Sequence, residues 1–194
     1  MARPHRAQFP DGVAHVVNRG NERRRLFDGP PDYEEFLQIL DRALARRPTR
    51  LLAYALMPNH WHMVLWPESS REMSQFLHYL TTLHAVRFRQ TSGTAGAGHV
   101  YQGRFHATSV DRDLYYWLTL RYVEANPLRA GLVARAEHWP WTSLSERVGT
   151  RRRIVDGPLP MPPSEAWLKV VNAAAGVVSP LGRGESTTTP ANGA

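Results

Sequence analysis

The sequence of 194 residues contains no cysteine, a single lysine and no apolar run approaching the ~18 residues that a membrane-spanning helix requires. The absence of cysteine excludes disulfides, cysteine nucleophiles and thiolate metal sites, and it fits a reducing compartment. The first residues lack the apolar segment that a secretory signal carries. These absences exclude integral membrane and disulfide-rich secreted classes, and they favour a cytoplasmic protein.

Basic residues outnumber acidic ones, and almost all of them are arginine. There are 24 Lys and Arg against 17 Asp and Glu, which gives a net charge of +7, and Lys169 is the one lysine. A strongly basic domain is typical of nucleic-acid-binding proteins, and the planar guanidinium group suits phosphate. The alternative is codon bias in a GC-rich genome, which explains the share of arginine better than it explains the net charge.

The length predicts one domain and some additional residues outside it. We expect residues 1–10 to be a loose N-terminal arm, residues 11–145 to form the domain, and residues 146–176 to be a C-terminal extension. Residues 177–194 contain almost no large apolar side chain. They are predicted to be a disordered tail, because such a segment cannot offset its ordering entropy.

The periodicity of apolar residues predicts the element order β-α-β-β-α-β-α. The first six elements are those of a ferredoxin-like sandwich, an α+β fold in which two helices cover one face of a four- to five-stranded antiparallel sheet. The added third helix must lie across the sheet or against its open side. We expect that helix to end at about Asn126, because Pro127 disfavours helical geometry in the residue before it.

Two histidines are the first candidates for chemistry. His60 and His62 begin a predicted strand, so their side chains point to one face and can share an ion, while Trp61 points to the opposite face. Two imidazoles joined by oxygen ligands suit Zn, Mn, Fe or Mg-type sites. The alternative is a pair of strand histidines that are hydrogen-bonded to backbone carbonyls, and the spacing alone does not exclude it.

The third helix adds a hydroxyl group and an amide. Tyr122 and Asn126 are four residues apart and share a helix face, so Tyr122 offers a nucleophile and Asn126 a carbonyl oxygen ligand. A core tyrosine and a helix-terminal asparagine are the alternatives, and Tyr115 and Tyr116 compete as nucleophiles. Distance along the axis favours Tyr122, which is ~6 Å from Asn126 whereas Tyr115 is ~16 Å away.

Basic and aromatic side chains accompany these elements. Sites for single-stranded nucleic acid combine the two, because arginine pairs with phosphate and aromatic rings stack on bases. A solvated positive surface is the alternative. The candidate DNA-binding arginines crowd the first turn or bracket the last strand and the third helix, and they are Arg19, Arg23, Arg24, Arg25, Arg104, Arg121 and Arg129.

Four motifs in matching order resemble a known family. Pro58 to Leu65, which reads Pro-Asn-His-Trp-His-Met-Val-Leu, resembles the His-hydrophobic-His motif of HUH single-strand DNA transposases. His15 to Asn21, Gly98 to Phe105 and Arg121 to Leu132 resemble the REP-associated tyrosine transposase branch of that family. The resemblance covers roughly residues 9 to 145, and residues 146–194 match no motif.

This resemblance implies the ferredoxin-like fold and a metal-dependent transposase or endonuclease. Such enzymes cleave and rejoin single-stranded DNA beside short hairpins through a 5′-phosphotyrosine intermediate. By position, His60 and His62 match the metal-binding pair, Tyr122 matches the nucleophile, and Asn126 matches the third ligand, which is often Gln in related transposases. Residues 11–145 would then be the HUH transposase domain.

The resemblance also implies a cofactor and a partner. The cofactor would be a divalent metal, Mg²⁺ or Mn²⁺, and the partner would be single-stranded or hairpin DNA resembling repetitive extragenic palindromes. No membrane partner is expected. The chain would act as a monomer or a homodimer.

Two other functions remain open from the sequence. A domesticated protein could bind hairpin DNA without cleaving it, although both histidines, Tyr122 and Asn126 are all present. A small-molecule hydrolase or oxygenase could use the histidine pair. Facial-triad oxygenases need a carboxylate ligand, however, and a charge of +7 suits polymeric phosphate better than a small acid.

Overall fold

The computed structural model describes residues 12–93, 98–110, 115–151, 154–155 and 164–174. The strands form an antiparallel sheet in the order β2-β3-β1-β4. They are β1 (Val13–Arg19), β2 (Arg50–Met57), β3 (His60–Trp66) and β4 (His106–Val110). The helices are α1 (Pro30–Arg46), α2 (Ser70–Ser92), α3 (Tyr116–Arg129), α4 (Ser143–Arg147) and α5 (Ser164–Asn172).

The predicted α+β class is confirmed, with four strands in the sheet. The predicted arm at 1–10 and tail at 177–194 lie outside the described residues. The predicted boundary between the domain and the C-terminal extension, at 145/146, falls inside helix α4. None of the helices in the described part of the chain combines the length and the apolar character of a membrane-spanning segment.

Each face of the sheet packs against its own helical layer. On one face, Val16, Trp61 and Met63 lie in a core that α1 and α2 complete. On the other face, a second core joins the sheet to α3 and α5, and it includes Val13, Ala55, Val64, Leu120, Val123, Trp167 and Val171. Strand side chains alternate between faces, so the sheet offers apolar residues to both layers. The third helix covers the side that α1 and α2 leave open, which is one of its two expected positions.

Helix α3 does not end before Pro127, so that prediction was wrong. Pro127 lacks the N–H that would bond the Val123 carbonyl, and a proline inside a helix costs roughly 3 kcal/mol. The helix continues to Arg129 because Pro127 is buried and hydrogen bonding resumes beyond it, where the Ala130 N–H donates to the Asn126 carbonyl at 2.9 Å. Arg129 therefore belongs to the same helix as Tyr122.

A buried carboxylate on α3 ties this helix to elements that follow it in the chain. Glu124 is fully buried. Its Oε1 accepts hydrogen bonds from Ser143 Oγ and from Arg147 Nε, the latter at 2.7 Å, and its Oε2 accepts one from Trp167 Nε1 at 2.6 Å. We call these four residues the α3 anchor. Glu124 is two positions from Tyr122, about 200° around the helix, so the anchor holds α3 from the side opposite Tyr122.

Candidate metal and nucleic-acid site

The two predicted metal-binding histidines lie side by side on the sheet face that α3 covers. His60 and His62 have ring centroids 5.0 Å apart, as strand alternation requires. His62 is fully buried, while His60, at the first position of β3, is half-buried. Trp61 points into the core on the other side of the sheet. The expected common face of the pair is thus present.

Tyr122 on α3 packs directly against this histidine pair. Its ring centroid lies 5.9 Å from that of His62, with the two rings nearly perpendicular. Tyr116 points into the second core beside Trp117, and Tyr115 is 44% exposed. Among the three tyrosines of this region, Tyr122 is the one whose ring contacts the histidines.

A third histidine completes the arrangement. It begins one of the four motifs, but no role was predicted for it. His15 on β1 is buried, with a nitrogen, Nε2, 3.1 Å from Nδ1 of His62. Its ring centroid is 5.8 Å from that of Tyr122. The sequence did contain a signal for His15, because β1 lies beside β3 in the ferredoxin-like order. Val17 of β1 is paired with His62 of β3. His15 is two positions before Val17, so its side chain points to the same face of the sheet as His62.

Burial keeps all three imidazoles neutral. It lowers the pKa of His15 to about 4, with the nearby His106 as a smaller cause. It also lowers the pKa of His60 to about 4, with the Arg19 charge as a smaller cause. The pKa of His62 lies well below its ordinary value, again chiefly through burial. A metal-binding imidazole must be neutral, so the pair meets that requirement at pH 7.

The hydrogen bonds of the two rings fit a metal site. His60 Nδ1 lies 2.7 Å from Asn59 Oδ1, to which it donates, so the lone pair of this neutral ring is on Nε2. His62 likewise uses Nδ1 toward a second residue, His15. Metal-binding histidines commonly engage their other ring nitrogen in this way. Nε2 is therefore the atom of each ring that could bind a divalent ion.

Asn126 lies one helical turn beyond Tyr122, as predicted. Its side chain is buried, and its Nδ2 donates to the Tyr122 carbonyl at 3.1 Å. Its Oδ1 is the amide atom that could serve as an oxygen ligand. Within the described part of the chain no cluster of three or more His, Cys, Asp or Glu could hold a metal, so an oxygen from Asn126 would have to supplement the two histidines.

Two of the seven candidate arginines adjoin these groups. Arg19 is paired with His60 across β1 and β3. The Arg129 guanidinium carbon lies 4.7 Å from the Tyr122 ring centroid, within range of a cation–π interaction. Arg19 and Arg129 are thus the two that the described contacts bring to the histidines and Tyr122.

The arginine-rich turn after β1 is held against the same end of the sheet. The Gly20 N–H donates to the Asn59 carbonyl at 2.8 Å, and Asn59 Nδ2 donates to the Arg23 carbonyl at 3.4 Å. Since Asn59 directly precedes His60, the turn lies next to the histidine pair. Arg24 lies in this turn, and Arg25 pairs with Asp28. Arg104 is exposed just before β4, and Arg121 lies on α3.

A family model described as "Transposase IS200 like" matches residues 9–126. This match covers more than half of the chain and includes His15, His60, His62, Tyr122 and Asn126. The chain belongs to the IS200-like transposase family. The match ends at Asn126, so the α4 and α5 parts of the α3 anchor lie beyond the family model. A search of curated protein sequences gave no significant match.

Two solved structures are similar to this chain. A REP-associated tyrosine transposase bound to a REP hairpin matches with a TM-score of 0.62 at 19% identity, over 84% of this chain and 94% of that one. A crystal structure assigned as a transposase of Deinococcus radiodurans R1 matches with a TM-score of 0.44 at 15% identity, over 64% of this chain and 95% of that one. The first match confirms the predicted architecture.

Proposed function

We propose that this transposase cleaves and rejoins single-stranded DNA beside hairpins, with Tyr122 as the nucleophile and a divalent metal held by His60, His62 and Asn126. One observation carries the proposal: the Tyr122 ring packs against His62 in the same chain, at 5.9 Å between centroids. A nucleophile and metal ligands that act on one phosphate must lie this close together. The hairpin bound by the structurally similar REP-associated transposase supports the substrate class.

The residues of this chain divide the work of the reaction. The Tyr122 oxygen attacks the phosphorus in line, the bond from phosphorus to the 3′-oxygen breaks, and the tyrosine becomes linked to the 5′-phosphate. The phenol loses its proton, and the leaving 3′-oxygen gains one. A 3′-hydroxyl of another strand reverses the step, because the phosphotyrosine keeps the energy of the phosphodiester; this is covalent catalysis in two transesterifications.

The surroundings of Tyr122 orient it for this attack. His62 and His15 pack against its ring, while Arg129 lies over the ring at 4.7 Å and carries the positive charge that attracts a phosphate. A bound Mg²⁺ or Mn²⁺ would supply Lewis-acid stabilisation of the phosphate oxygens. Neutral His60 and His62 offer their Nε2 lone pairs to such an ion, and Asn126 offers Oδ1.

We expect hairpin binding to be strongly salt-dependent, because arginines make the contacts to phosphate. For single strands the logarithm of the binding constant falls by about 0.7 per contacted phosphate for each tenfold rise in salt. Replacing Arg23 with Gln should therefore reduce the slope by about 0.7. Fluorescence anisotropy with a labelled hairpin that carries single-stranded flanks measures this slope.

The matched control is Arg46→Gln, which removes an equal charge from the exposed end of α1. It should leave the slope unchanged. A slope near zero for the wild-type protein, or tighter binding to plain duplex of equal length, would contradict the proposed substrate.

We expect His60→Ala and His62→Ala each to abolish cleavage while hairpin affinity changes less than about threefold, because DNA contacts are spread over many arginines. Cleavage with added Mn²⁺ is measured on denaturing gels and affinity by anisotropy. His84→Ala is the control, since His84 is also buried but lies in the core on the α1 and α2 side of the sheet, against Phe27 and Phe36. Undiminished cleavage by either site variant would rule out the metal site.

A further inference from the structure

His15 and His62 are joined edge to edge. Their ring planes differ by 2° and their centroids are 5.3 Å apart, while His15 Nε2 lies 3.1 Å from His62 Nδ1. Parallel rings at this separation with two nitrogens so close lie nearly in one plane, with a hydrogen bond running between them. This is the geometry of a well-aligned N–H···N bond.

The direction of that bond decides which nitrogen of His62 carries its lone pair. A neutral imidazole has one donor nitrogen and one acceptor nitrogen. If His62 donates from Nδ1, its lone pair is on Nε2, and the ring can bind a metal there. If His15 donates instead, the proton of His62 moves to Nε2 and blocks that position.

We propose that His15 is a positioning residue for the metal site: it accepts the hydrogen bond from His62 Nδ1 and thereby fixes both the tautomer and the ring plane of that ligand. The inference rests on the proposed function, since it assigns a role toward the ion that His62 would bind. Partners that orient metal-binding histidines typically change metal affinity or activity by 10- to 100-fold when they are removed.

The same residue also supports the nucleophile. The Tyr122 ring stands nearly perpendicular to the rings of His15 and His62, at 5.8 Å and 5.9 Å between centroids. The Tyr122 ring therefore packs against both histidines. A test of the tautomer role must preserve this packing while it removes the hydrogen-bond acceptor.

Two substitutions separate these roles. His15→Phe keeps an aromatic ring in contact with Tyr122 and removes the acceptor nitrogen, whereas His15→Gln places an amide oxygen near the position of Nε2. We expect Mn²⁺ affinity, measured by electron paramagnetic resonance of free Mn²⁺ without DNA, to fall 10- to 100-fold in His15→Phe. We expect His15→Gln to stay within about threefold of the wild type, since it keeps the acceptor.

The control is His84→Phe, which alters a buried histidine in the other core, where its Nδ1 contacts the Tyr101 hydroxyl. Its Mn²⁺ affinity should equal that of the wild type. Thermal unfolding of each variant reports whether the fold persists.

A second readout uses the wild-type chain and needs neither metal nor activity. Imidazole ¹⁵N chemical shifts of the metal-free protein should show His62 protonated on Nδ1. A proton on His62 Nε2 in the wild-type protein would overturn the inference, even if His15→Phe failed to fold.

The outcomes also separate this inference from the proposed function. If the wild-type protein binds Mn²⁺, His62→Ala abolishes binding and His15→Phe binds as well as the wild type, the role of His15 is wrong and the metal site stands. If the wild-type protein binds no Mn²⁺, both are overturned.

Discussion

Replacing Tyr122 with Phe will leave hairpin binding unchanged and reduce the covalent protein–DNA adduct to background. The substitution removes one oxygen atom and little volume, so the contacts of the ring with His62 and Arg129 persist. It removes the only atom of the side chain that can attack phosphorus, and a missing nucleophile is not replaced by neighbouring groups. Denaturing gels with fluorescent hairpin DNA measure the adduct, and anisotropy measures the affinity.

The neighbouring tyrosines provide matched controls on the same helix region. Tyr115→Phe alters an exposed ring. Tyr116→Phe removes a buried hydroxyl that has no hydrogen-bond partner among the described residues. Both variants should form the adduct at the wild-type rate. An adduct that persists in Tyr122→Phe and disappears in Tyr115→Phe would show that the wrong tyrosine had been assigned.

Replacing Glu124 with Gln will cause a large loss of stability. Glu124 is fully buried and pairs with Arg147 at 2.7 Å, whose side chain is itself 9% exposed. Removing one member of a buried ion pair leaves the other charge without compensation in a medium of low dielectric constant, at a typical cost of about 3–5 kcal/mol. For a chain of this size each 1 kcal/mol lowers the melting temperature by about 2–4 °C, so we expect a decrease of roughly 6–20 °C.

The control for this prediction is Glu34→Gln. Glu34 pairs with Arg151 at 2.6 Å, but its side chain is 46% exposed, and exposed ion pairs contribute only about 0–1 kcal/mol. Differential scanning calorimetry should therefore show a small shift for Glu34→Gln and a large one for Glu124→Gln. Equal shifts would mean that the α3 anchor does not hold the helix that carries Tyr122.

The architecture could be predicted because the local patterns agree with the element order of the fold. Alternation placed His60 and His62 on one face and Trp61 on the other, and both placements are observed. Helical spacing brought Asn126 to the turn after Tyr122, where its amide bonds the Tyr122 carbonyl. In each case the geometry depends on neighbours within a few residues, which the sequence displays directly.

The features that the sequence did not predict depend on contacts between residues far apart in the chain. The predicted end of α3 was wrong because the burial of Pro127 and the hydrogen bonds beyond it outweigh the tendency of proline to end a helix. No role was predicted for His15, although it begins a motif, because a single histidine in a strand has no distinctive spacing and its contact with His62 arises only in the folded sheet. Glu124 resembles a solvated helix residue until Arg147 and Trp167, which follow far along the chain, are packed against it.

The most direct test of the central claim is to identify the atom that becomes joined to DNA. The wild-type protein is incubated with Mn²⁺ and a pool of single-stranded hairpin oligonucleotides with randomised flanks, then digested with protease and nuclease, and the peptides are analysed by mass spectrometry. We expect a nucleotide linked through its 5′-phosphate to the peptide that contains Tyr122, together with a released strand that ends in a 3′-hydroxyl. A linkage on any other residue, or hairpin binding with no linkage at all, would contradict it.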